Sequence, residues 1–65
     1  METFENHDVA TQAARRKYES DYDRTGVARK TTLTYQLQDE TCHSVTVWRE
    51  SGWDGFVWSA QRKQL

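Results

Sequence analysis

The stretch KTTLTYQLQ, Lys30–Gln38, alternates without a break. Thr31, Leu33, Tyr35 and Leu37 fall on one side, and Thr32, Thr34, Gln36 and Gln38 on the other. A period of two is the mark of a half-buried strand, with one face on a core and one face free. Working outward, HSVTVW sets Val45 and Val47 against Ser44 and Thr46. GFVWSAQ sets Phe56, Trp58 and Ala60 against Val57, Ser59 and Gln61. Turn residues separate the three runs, which predicts an antiparallel β-meander.

Parity constrains the turns. Odd residues are apolar in the first two strands, so cross-strand partners sum to an even number, and the loop around Asp39-Glu40-Thr41 holds an odd number of residues. In the third strand the even residues are apolar, so partners across the second hairpin sum to an odd number. A Gly52-Trp53 turn of type II′ meets that condition. It would set Val47 opposite Trp58, Val45 opposite Ala60 and Trp48 opposite Val57.

Upstream, Val9 to about Tyr22 reads as a helix, with Ala10, Ala13, Ala14, Tyr18 and Tyr22 at three- and four-residue spacings. Asp8 is the expected N-cap and Gly26 the expected stop; a start at Thr3 is an alternative. Arg15 and Glu19 are placed to pair at i,i+4. Residues 1–7 carry no pattern and are expected to be mobile. The fold expectation is one two-layer α+β domain over residues 1–65, an N-terminal helix on a three-stranded antiparallel meander in the order α-β-β-β. Leu33, Tyr35, Leu37, Val45, Val47, Phe56 and Trp58 should meet Ala10, Ala14 and Tyr18 in the core.

Composition narrows the function. Nine Lys and Arg against ten Asp and Glu give a net charge of −1, unlike the strong basicity usual for a domain that grips phosphate. No apolar run approaches the roughly 18–20 residues of a membrane span. The start METFENHD lacks the apolar stretch of a secretory signal, and one cysteine makes no internal disulfide. A cytoplasmic protein without membrane association is expected.

No catalytic motif stands out. Cys42 and His43 are neighbours on a strand and point to opposite faces, and His7 is far off in sequence, so no metal or Cys/His nucleophilic pair is expected. No cofactor is expected either. What remains is aromatic surface. Trp48 leaves the Val45 and Val47 side for the outer face, beside Thr34, Thr46 and Val57, and Trp53 sits at a hairpin tip. Tryptophan is enriched at binding hot spots, so these five residues form the expected protein-docking surface. The expected function is a small non-enzymatic regulator or inhibitor with a protein partner. Phage and plasmid accessory proteins share this build by association only. A homodimer through the outer sheet face is one rival. The other is a nucleic-acid-binding module using Arg15, Arg16 and Lys17 on the helix, Arg29 and Lys30 before the first strand, and Arg62 and Lys63 in the tail.

Overall fold

The helix starts two residues earlier than an Asp8 cap predicts. Asn6 holds an extended backbone (φ −158°, ψ 175°), and its side-chain oxygen accepts the Val9 N–H at 2.9 Å. In the computed structural model, which describes residues 1–65, α1 therefore runs His7–Thr25. Asn6 outcompetes Asp8 because its amide oxygen reaches the amide three residues on, the N-cap geometry. Asp8 then lies in the first turn, where its charge suits the helix dipole. Gly26 ends the helix as expected, in the left-handed conformation (φ 71°), donating its N–H to the Tyr22 carbonyl at 2.7 Å.

A fourth strand precedes the helix. β1 (Glu2–Phe4) pairs in parallel with β2 (Thr31–Leu37), matching Glu2 with Tyr35 and Phe4 with Leu37. β3 (Cys42–Gly52) and β4 (Gly55–Gln64) follow in antiparallel order, giving a mixed sheet β1-β2-β3-β4. The three-stranded meander is thus correct for β2 to β4 and incomplete at the front. Residues 1–7, expected to be mobile, hold a strand and the helix cap. Parallel neighbours need a crossover and not a hairpin, and α1 supplies it. The fold is a strand-helix-strand unit extended by a long hairpin.

Both parity predictions hold. Leu33 pairs with Val45 and Tyr35 with His43, and the loop between Leu37 and Thr41 contains three residues. Glu40 takes φ 71° there, the left-handed end of a three-residue hairpin loop. Across the second hairpin the sums are odd, but the register differs by two from that expected. Val47 pairs with Ala60, Val45 with Arg62 and Trp48 with Ser59. The turn is Trp53-Asp54, because Gly55 and not Gly52 adopts the positive φ, 113°. Glycine alone takes such an angle without strain.

The core is Phe4, Ala10, Ala14, Tyr18, Tyr35, Val45 and Val47, with Leu33, Leu37 and Trp58 packed at its margin. Ala10 and Ala14 are wholly buried, which lets α1 lie close over β2 and β3. Phe4 meets Tyr35 edge-on, with ring centroids 6.0 Å apart. Phe56 departs from the expected core: it is 71% exposed. Its parity is right, but β3 and β4 run on past the end of β2, and there a crevice separates the sheet from α1. Tyr22, expected on the buried stripe, is half-exposed because it faces that crevice instead of packing on the sheet.

Candidate functional site

The expected docking residues separate into two groups. Thr34, Thr46 and Trp48 lie on the outer face. Thr34 pairs across from Ser44, and Thr46 pairs with Thr32, their hydroxyls 2.7 Å apart. Trp48 is half-buried and held at its indole N–H and its ring face. Its indole N–H donates to Glu50 Oε1 at 2.9 Å, and Lys30 Nζ stands 4.5 Å from the ring centre. Ser59 donates to the other Glu50 oxygen at 3.2 Å. The Trp48 and Ser59 donors hold the Glu50 carboxyl below its usual range, so the group stays anionic at neutral pH. This corner is a cross-strand clamp tying Lys30, β3 and β4 together.

Trp53 and Val57 belong elsewhere. The segment from Arg49 to Val57 forms an arm beyond the helix, every residue exposed, on a molecule 37 Å long and 17 Å thick. Trp53 at its tip is fully exposed (101%) and Val57 is 53% exposed. Phe56, on the arm's helix-side face, joins them. At the arm's root Trp58 is gripped by Tyr18, with centroids 5.1 Å apart, and by the guanidinium carbons of Arg49 at 4.9 Å and Arg15 at 5.5 Å. Arg15 thus stacks on Trp58 instead of pairing with Glu19 as expected. The single ion pair is Arg24 with Asp21, at 3.1 Å. Between arm and helix, Tyr18, Tyr22, Ala28, Arg49 and Phe56 line a mostly apolar crevice of about 200 Å³.

The comparisons match no protein-family model, no curated protein and no solved structure.

The basic residues do not gather into one patch. Lys17, Arg29 and Lys30 line a crevice of about 240 Å³ with Arg24, beside the Asp21 carboxylate. Arg15 is committed to Trp58, while Arg16 is exposed on the helix. Arg62 and Lys63 pair with Val45 and Ser44, whereas Arg29 and Lys30 precede the Thr31 that pairs with Val47. The two groups therefore sit toward opposite ends of β3.

One cluster was hidden from the sequence. His7, apparently remote, lies with its ring centre 4.8 Å from that of His43. The Tyr35 ring stacks on His43 at 5.7 Å, and its hydroxyl is 2.6 Å from His7 Nδ1. Burial pushes the Tyr35 phenol up, so it keeps its proton. Thr41 spends its one hydroxyl hydrogen on Asp39 Oδ1, so at 2.7 Å it accepts from His43 Nε2–H. The Thr41 hydroxyl and backbone N–H together hold the Asp39 carboxyl below its usual range. No three His, Cys, Asp or Glu residues are grouped to hold a metal ion, and Cys42 is a half-buried free thiol. No helix is long and apolar enough to cross a membrane.

Proposed function

We propose that this chain is a small non-enzymatic binding protein, a regulator or inhibitor that docks on another protein through the β3–β4 arm. The observation carrying the reading is Trp53, fully exposed at the arm's tip with Phe56 and Val57 behind it. The core is complete without these residues. Large apolar side chains gathered in the open on one arm mark a site of association, and tryptophan is enriched among binding hot spots. Trp48, Thr46 and Thr34 stiffen the sheet from which the arm springs. The crevices, about 200 to 240 Å³, are smaller than the roughly 300–1,000 Å³ of ordinary small-molecule sites, which supports a docking role over catalysis. The lone cysteine and near-neutral charge suit a reducing, cytoplasmic setting.

The test is affinity capture from a lysate of the source organism, with and without nuclease, using wild-type, Trp53→Ala and Phe56→Ala baits. One protein should be recovered in stoichiometric amount by the wild type, resist nuclease, and bind Trp53→Ala at least about 30-fold more weakly, the scale of a hot-spot residue. Capture that both variants retain overturns the reading. Capture abolished by nuclease instead favours the nucleic-acid module, whose affinity would fall steeply with salt.

A further inference from the structure

The sheet has two edges of very different character. β1 is a three-residue edge, whereas β4 presents ten residues whose far side pairs with nothing. In an antiparallel ladder, alternate residues turn both backbone polar groups toward the same neighbour. Leu65 donates its N–H to the Cys42 carbonyl at 2.9 Å, which fixes the phase: odd-numbered residues of β4 face β3. The N–H and C=O groups of Phe56, Trp58, Ala60, Arg62 and Gln64 therefore point outward along the open edge. No proline or bulge interrupts that row, and such an edge is a template for another strand.

We propose that the occupant is β4 of a second copy, antiparallel about a two-fold axis at Ala60, giving a continuous eight-stranded sheet with both helices on one face. The axis stands normal to the sheet, so partner numbers sum to an even number, which is also the parity that brings the outward groups of both copies together. The side chains are self-complementary in this register. Trp58 falls opposite the second copy's Arg62, and Phe56 opposite its Gln64. The aromatic half of each strand lies opposite the basic half of the other, and no directly opposed pair carries like charges. Centring on Arg62 would set two guanidinium groups face to face, and centring on Trp58 would shorten the ladder. The two arms would project from opposite ends, leaving both Trp53 tips free. The dimer seam shares Phe56 and Val57 with the docking arm, but its test falls on Ala60, outside the arm and away from Trp53, so either proposal can fail without the other.

Light scattering and sedimentation across a concentration series should give twice the 7.7 kDa chain mass. Ala60→Pro deletes an outward N–H that the monomer's own ladder does not use, and should yield a folded monomer. Ala60→Lys and Ala60→Asp, at an exposed site, should each be monomeric because like charges meet at the axis. Mixing those two should restore the dimer as a heterodimer. A wild type that stays monomeric at every concentration overturns the proposal. So does a dimer that survives Ala60→Pro and Ala60→Lys, or a Lys/Asp mixture that remains monomeric.

Discussion

Two tryptophans five positions apart have opposite duties. Trp48 is half-buried, its N–H bonded to Glu50 and its ring under Lys30. Trp48→Ala should cost about 1–2 kcal/mol in a denaturant melt, the sum of a cross-strand contact and a hydrogen bond. Trp53→Ala should stay within about 0.5 kcal/mol of wild type, as exposed substitutions do. Equal losses at both sites would mean that the arm folds back on the body. Alternation assigned Trp48 to the outside and the hairpin turn assigned Trp53, and neither pattern has any means of showing that Glu50 and Lys30 would hold one of them. Asp39 supplies a pH signature. Its folded-state carboxyl lies below the unfolded value, so its contribution is present above the usual carboxylate range and is lost as pH falls through the lowered folded value. Thermal melts taken downward from pH 5 should show the wild type losing more stability than Asp39→Ala over that window.

At the level of elements, the sequence was most informative where a run of residues repeated a period. β2, both hairpin parities and the Gly26 stop follow from local pattern, whereas β1 is too short to alternate and acquires meaning only from Tyr35 and Leu37 beside it, some thirty residues on. The strand nonetheless bears weight. Phe4 is 91% buried by its packing on the core (9% exposed), so Phe4→Ala should cost about 3–5 kcal/mol by lost contact and a cavity. A loss below 1 kcal/mol would show β1 to be dispensable. The first hairpin loop holds the opposite opportunity. Glu40 sits at φ 71°, a conformation that costs a residue with a Cβ roughly 1–2 kcal/mol. Glu40→Gly should raise stability by about 0.5–1 kcal/mol after the greater unfolded-state freedom of glycine is subtracted. A lower melting midpoint would show that the Glu40 side chain has a stabilising role of its own.

Over the whole molecule, the decisive mismatch is between sheet and helix: β3 and β4 are eleven and ten residues long, and β2 only seven. Parity gave Phe56 its correct face, but a face is buried only where something lies above it, and no local pattern states how far the helix reaches. The three runs held no clue to the arm, since HSVTVW and GFVWSAQ are shorter than KTTLTYQLQ. The open edge makes its own forecast for hydrogen exchange. In monomeric Ala60→Lys the Trp58 and Arg62 amides should exchange quickly and those of Ser59 and Gln61 slowly, while dimeric wild type should protect all four. The parallel pairing of β1 with β2 also has a kinetic consequence. The hairpin of β3 and β4 joins neighbours in the chain, but β1 must wait until α1 and β2 are in place before it can dock, since closing that long loop costs entropy before any contact repays it. Phe4 should then be absent from the folding transition state. Phe4→Ala would speed unfolding and leave refolding almost untouched, and β1 would be the first part of the native protein to come away.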